Sequence, residues 1–386
     1  MRLKIGIISH VKHSICEPFA GGLECHTAAL TQALSARGHD VTLLSAGEQP
    51  CSAQMEIFCK ETKPLEGEGD GGFGYEHQAY FELMRKLGRR SFDIIHNNSL
   101  HYLPLAMAGL LSIPMVTTLH TPAFWEMAGS IQLSPHPNSF FAAVSETIRS
   151  DWEAVMAVDS VIPNGIDLDK FVYRPQPDAS PYLFWSGRIV PEKGPHLAIE
   201  AARLARIPLL FAGPVSDIAY FESQIRPVLG EHARYLGHLA HDRLIALMGG
   251  ARACLCTPVW EEPYGLVVAE ALACGTPVAG FARGALPGLL DARSGILVEP
   301  NNAEALALAA VSVQSLSRAD CRRRAAEIGD AERMIEAYEA LYARLCQTDF
   351  TASSQAGPGW YESLVSRKLL KSHYLRHASA DLSEVA

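Results

Sequence analysis

A rhythm that runs twice constrains this chain more than any other feature. Short β-branched runs alternate with helical stretches from residue 4 to 162, a proline-rich segment interrupts, and a second series of similar length follows from 182. Alternating strand and helix builds a parallel sheet covered on both faces. Two series therefore predict an α/β protein of two facing, doubly wound, Rossmann-like domains, 1–163 and 182–330. The linker 164–181 between them carries Gly165, Pro175, Pro177 and Pro181. Sheets of this kind bind ligands outside the carboxyl ends of their strands, so the expected site is the crevice between the domains.

In the first series, strands are expected at 4–9, 41–44, 93–96, 115–119, 140–144 and 160–162, with helices over 22–37, 75–87 and 101–111. Residues 46–74, glycine- and acid-rich with weak periodicity, read as a long mobile loop. In the second series, strands are expected at 182–185, 209–212, 253–256, 277–279 and 296–298. Over 332–346, Met334, Tyr338, Leu341, Tyr342 and Leu345 recur at helical spacing, as a packing stripe does. The segment 348–386 reads as a linker and a basic tail. Its stretch 360–377, with Arg367, Lys368, Lys371 and Arg376, suits a docked surface helix, with peripheral contact to an anionic membrane as the alternative.

Composition narrows the function classes. Hydrophobic residues make up 48% and charged residues 19%, enough apolar material for sizeable cores and against disorder. A net charge of −9 argues against a protein that grips nucleic acid backbones. The nine cysteines are odd in number and include no C-x-x-C pair, which disfavours a disulfide scaffold or a zinc ribbon and suits a reducing cytoplasm. No apolar run reaches membrane-spanning length.

Chemistry-bearing residues gather at the expected strand ends. After the 253–256 strand, Glu262 lies in the loop, a helix begins near Gly265, and Glu270 falls two turns along it. The free N–H groups of Gly265, Leu266 and Val267 would form an anion site facing the crevice. Glu262 suits sugar hydroxyls and Glu270 a ribose; the plainer alternatives are helix capping and a solvated face. After the 182–185 strand, Arg188 and Lys193 flank a glycine turn, a planar fork and a compact charge that suit a diphosphate. After the first strand, His10, Lys12 and His13 precede Gly21 and Gly22, which let a phosphate or sugar approach the backbone. That spacing is not G-x-G-x-x-G, no acid ends the second strand, and no P-loop motif occurs. His120, just past the 115–119 strand, is a candidate site histidine. Asp167 and Asp169 form a D-x-D triplet in the linker and read as structural; Cys254 and Cys256 read as core.

Together these segments resemble the retaining glycosyltransferases of family 4, which have the GT-B fold. The resemblance rests on Gly21-Gly22, His120, Ile162-Pro163-Asn164-Gly165-Ile166-Asp167, Gly187-Arg188 with Lys193-Gly194, and Glu262 and Glu270 with seven residues between them, followed by Ala273-Cys274-Gly275-Thr276-Pro277. It covers roughly 1–345 and leaves the segment after Cys346 uncovered. The runs Phe92–Ser99, Gly194–Ile199 and Phe211–Ser216 look most like the avilamycin-type branch, which is similar to UDP-glucose:pterin glucosyltransferases. Leu286-Pro287-Gly288 departs from the pattern, with glycine where relatives often have glutamate.

The resemblance implies transfer of a hexose from a nucleotide diphosphate sugar, UDP-glucose first, to an acceptor hydroxyl with retention, and without metal or cofactor. Arg188 and Lys193 would bind the diphosphate, Glu262 the sugar, Glu270 the ribose, Leu266 and Val267 donate N–H groups, and Leu239 lie beside the base. The helix at 331–347 would cross back to the first domain. Two alternatives keep the fold: a nucleotide-sugar epimerase, or a non-catalytic sugar-nucleotide-binding partner. A phosphorylase would need a pyridoxal-phosphate lysine, for which no motif is present.

Overall fold

The computed structural model describes residues 1–62 and 71–348. The first domain holds seven strands: β1 (Lys4–Ile8), β2 (Asp40–Ala46), β3 (Met55–Cys59), β4 (Ile94–Asn97), β5 (Met115–Leu119), β6 (Ser139–Ala143) and β7 (Ser160–Val161). They form one sheet in the order β3-β2-β1-β4-β5-β6-β7, parallel at every pairing. The second domain holds β8 (Leu183–Ser186), β9 (Leu209–Ala212), β10 (Ala233–Tyr235), β11 (Ala253–Cys256), β12 (Val278–Phe281) and β13 (Gly295–Val298). Their order is β10-β9-β8-β11-β12-β13, again all parallel. These are the two Rossmann-like sheets expected from the double alternation. The central strands are apolar on both faces because helices cover both. Ile5, Ile7 and Ile8 of β1, and Leu183 and Phe184 of β8, are fully buried.

Strand order reverses beside β1 in the first sheet and beside β8 in the second. A crevice opens at such a reversal, because successive crossovers leave on opposite faces. The loops after β1 and β4, and those after β8 and β11, therefore border the cleft, and these loops carry most of the candidate residues.

The chain passes between the domains twice, and the two passages pair: Ile166 and Asp330 form a parallel bridge. Gly165 packs so closely on the Ala331 backbone that no side chain fits. Helix Ala331–Cys346 then lies on the first domain. Its stripe of Met334, Tyr338, Leu341, Tyr342 and Leu345 is buried, as the spacing predicts. Tyr338 bonds Thr118 of β5 at 3.0 Å, Tyr342 bonds His96 of β4, and Arg37 reaches Glu339 at 2.6 Å.

Three expectations need correction. The 46–74 stretch is not a single loop. β3 pairs with β2 as an edge strand, and a helix starts at Gly71; residues 63–70 lie outside the described residues. A short, half-buried edge strand has little periodicity to display. β10, three residues at the other sheet's edge, went unread for the same reason. Residues 101–111 hold a five-residue helix, Tyr102–Ala106, and a separate 3-10 turn rather than one helix. Finally, Cys16 and Cys51 are disulfide-bonded. Parallel pairing of β1 with β2 brings the loops after both strands together, so residues far apart in sequence meet. Cys254 and Cys256 are buried, as expected. Asp167 accepts from the Asp169 N–H at 2.9 Å, a local turn, in keeping with a structural role. Among the described residues, no helix is long and apolar enough to cross a membrane. The tail 360–377 lies outside them.

Candidate active site

The cleft between the domains encloses about 830 Å³ and is lined by every residue expected at the site: Gly21, Gly22, His120, Arg188, Lys193, Leu239, Glu262, Gly265, Leu266, Val267 and Glu270. That volume falls in the roughly 300–1,000 Å³ range of sites that engulf a small-molecule ligand.

The second domain supplies the charges. Lys193 follows β8 in a 3-10 turn, and Gly194 behind it adopts the left-handed conformation that starts helix Pro195–Ala205. The loop is pinned to the end of β11: Thr257 Oγ1 donates toward the Lys193 and Gly194 carbonyls, and Trp185 Nε1 donates to Thr257 at 3.0 Å. Lys193 Nζ thereby lies 2.7 Å from Glu262 Oε2. Trp260 Nε1 donates to the same oxygen at 3.0 Å, and its ring faces the ammonium at 5.0 Å. Glu262 is thus held by a cation and an indole and does not cap the helix. Gly284 packs directly on the Glu262 backbone, leaving no space for a Cβ. Gly265 opens helix Leu266–Ala273 at φ 92°; the Val268 N–H bonds back to the Gly265 carbonyl at 2.9 Å, and the Leu266 and Val267 N–H groups have no acceptor among the described residues.

Arg188 crosses toward the first domain, its Cδ 3.9 Å from where Gly21 would carry a Cβ; Glu192 pairs with it only loosely, at 3.4 Å. A Cβ on Gly22 would stand 2.9 Å from Leu266 Cδ1, so the glycine loop and the helix start close on each other across the cleft. Further bonds join the domains: Ser145 Oγ to the Pro263 carbonyl at 2.7 Å, and His238 Nε2 to the Phe19 carbonyl at 2.9 Å.

Glu270 looks into the cleft from the helix, and burial pushes its carboxyl up to about 7, with Lys170 pulling the other way. It is not on a solvated face. His120 bonds Asn98 Oδ1 through Nε2 at 2.9 Å and meets His26 edge to face at 4.9 Å. Burial holds both rings neutral, His120 well below its ordinary value and His26 at about 4. With Nε2 donating to the amide oxygen, His120 Nδ1 is left as an acceptor.

Sequence reasoning missed several lining residues. Trp260 sits beside Glu262, but only the folded loops show that it orients the carboxylate. Glu24 pairs with His10 at 2.8 Å under the glycine loop. Burial works to raise its carboxyl, and the His10 hydrogen bond and charge outweigh that, leaving it below the usual range. Cys25 and His241 flank Glu270.

Known proteins share these two domains and their order. The profile of "Glycosyltransferase Family 4" matches residues 20–170, and that of "Glycosyl transferases group 1" matches 169–328. The chain is a glycosyltransferase built from family 4-type, GT-B domains. Glycogen synthase of Mycobacterium tuberculosis is 29% identical over 342 residues, covering 76% of this chain and 82% of that one. AviGT4, a glycosyltransferase involved in avilamycin A biosynthesis, superposes with a TM-score of 0.64 at 21% identity, over 90% of this chain and 99% of that one. Anabaena HepE, solved with UDP-glucose, gives 0.71 at 18% identity, over 89% and 100%. At such identities the structural likeness shows the GT-B fold. The glycosyltransferase places its two charged switch-point loops and its glycine loop around one cleft.

Proposed function

We propose that the enzyme transfers a hexose, glucose by preference, from a nucleotide diphosphate sugar to an acceptor hydroxyl with retention at the anomeric carbon. One observation carries this reading. Arg188, Lys193, Glu262 and the start of helix Leu266–Ala273 converge from the β8 and β11 loops onto Gly21 and Gly22 of the facing domain. The hard part of the reaction is departure of the nucleoside diphosphate while positive charge grows on the sugar. Arg188, Lys193 and the N–H groups of Leu266 and Val267 meet the developing negative charge, and one well-placed donor of this kind is worth roughly 10²–10³ in rate. Two fixed cations supply what a divalent ion would, so turnover needs no metal.

Lys193 exchanges its Glu262 partner for phosphate oxygens, freeing Glu262 to accept from sugar hydroxyls. His120 Nδ1 accepts from another sugar hydroxyl. Glu270 takes the ribose, and Leu239 lies beside the base. The closed cleft keeps water from the activated sugar. The acceptor hydroxyl attacks on the face the diphosphate leaves, and the leaving phosphate takes its proton. The preference for UDP-glucose is supported by the likeness to HepE, solved with UDP-glucose. A pterin or natural-product aglycone is the acceptor class suggested by the avilamycin-type resemblance. The basic stretch 360–377 adds cytoplasmic, membrane-side docking to this reading, checked by co-sedimentation with anionic vesicles.

The test is a thermal-shift series with UDP-, GDP-, ADP- and TDP-glucose, with and without EDTA. UDP-glucose stabilises the protein most, and EDTA changes nothing. Arg188→Ala loses that stabilisation and slows UDP release from UDP-glucose by about 10²-fold while its own Tm is kept. Stabilisation that disappears with EDTA, or an Arg188→Ala variant that binds and turns over normally, refutes the assignment.

A further inference from the structure

The nucleotide side of the cleft holds a second constellation that transfer does not use. Cys25 lies early in helix Gly22–Ala36 of the first domain; His241 opens helix His241–Gly250, and Glu270 lies in helix Leu266–Ala273, both of the second. A sulfur, a ring nitrogen and a carboxylate oxygen from the three lie within 4.8 Å of one another. None of these polar heads has a hydrogen-bond or ion-pair partner among the described residues. The His241 ring is held edge to face between Phe19 and Phe171, at 6.5 and 5.3 Å, so its direction is set by packing. Lys170 stands near and opposes a cation, but Glu17 pairs with it at 3.3 Å.

Thiolate, imidazole and carboxylate together are a zinc donor set, and three protein ligands with one open position are common for this ion. Ligand atoms about 2.0–2.3 Å from a tetrahedral zinc sit roughly 3.5 Å apart, so side-chain movements of about 1 Å complete the set. We propose that Cys25, His241 and Glu270 form an inhibitory zinc site bridging the two domains, with its fourth position open to the cleft. Binding replaces the thiol proton, which passes to solvent. A bound ion ties the first domain to the second and takes the carboxylate assigned to the ribose. Zinc and donor therefore exclude each other. That exclusion rests on the donor reading; the metal site does not.

The test uses the full chain, stripped with chelator and dialysed. Zinc is titrated against a chromophoric competitor that reports the free ion, and cobalt is used to read thiolate-to-metal absorption. One equivalent binds. Cys25→Ser and His241→Gln weaken it by at least about 10–100-fold, and Cys25→Ser removes the thiolate band. UDP-glucose at ten times its Kd weakens zinc about 11-fold. With metal absent, Cys25→Ser keeps the wild-type Tm, so its loss of zinc is not a loss of fold. No saturable single equivalent, or binding unchanged in Cys25→Ser, overturns the site. Zinc and UDP-glucose binding independently overturns the inhibition. Cys25-dependent zinc binding in a protein that UDP-glucose fails to stabilise refutes the donor reading and leaves the metal site standing.

Discussion

Replacing Glu270 by glutamine tests the nucleotide side of the cleft through a single proton. Burial lifts this carboxyl from 4.5 to about 7. A carboxyl raised on folding favours the folded state while protonated. Its contribution is whole below pH 4.5, shrinks as pH rises, and is gone above pH 7, a swing of about 3 kcal/mol at 1.36 kcal/mol per tenfold change. Donor binding runs the other way, because ribose hydroxyls donate to the ionised carboxylate. Below pH 7 the proton must leave first, so UDP-glucose binding weakens up to tenfold per pH unit, by about 30-fold at pH 5.5. UDP-glucose is the ligand of choice because its diphosphate diester does not titrate between pH 5 and 8. Calorimetry at pH 5.5, 7.0 and 8.0, in two buffers of different ionisation enthalpy, reads both affinity and protons released, about half a proton at pH 7. In Glu270→Gln, affinity at pH 8 falls about tenfold, since a charge-assisted bond becomes a neutral one, and the acid-side slope vanishes. An identical slope in both proteins would assign the proton to the neighbouring histidines and refute Glu270 as the ribose ligand.

Two further substitutions probe closure and the frame. Gly22→Val drives a side chain into Leu266 and weakens UDP-glucose binding about tenfold by calorimetry; adding Leu266→Ala restores part of it, and unchanged affinity in the single variant refutes the close approach. Arg318 donates to the carbonyls of Gly249 at 2.6 Å, Arg174 at 2.7 Å and Ala251 at 3.0 Å, so Arg318→Met leaves carbonyls unmatched and costs about 3 kcal/mol in urea unfolding. A loss under about 1 kcal/mol would show that water replaces the guanidinium.

The sequence by itself determined the sheets and the places where chemistry gathers. Strand–helix periodicity is local, so the apolar runs of β1, β5, β8, β9 and β11 could be read without knowing their neighbours. Gly21, Arg188, Lys193 and Glu262 were found because each follows such a run, and the end of a parallel strand is where a cleft forms. Edge strands β3 and β10 escaped because few residues in them are buried on both faces. Only the tertiary structure decided which ions meet. Lys193 finds Glu262, His10 finds Glu24 and Cys16 finds Cys51 because separate crossovers return to adjacent strand ends, and strand order is set by long-range pairing that no local pattern encodes. The same holds for Glu270. Its place on the helix was readable, but its raised carboxyl, beside a cysteine from one domain and a histidine from the other, exists only once the two domains come together around it.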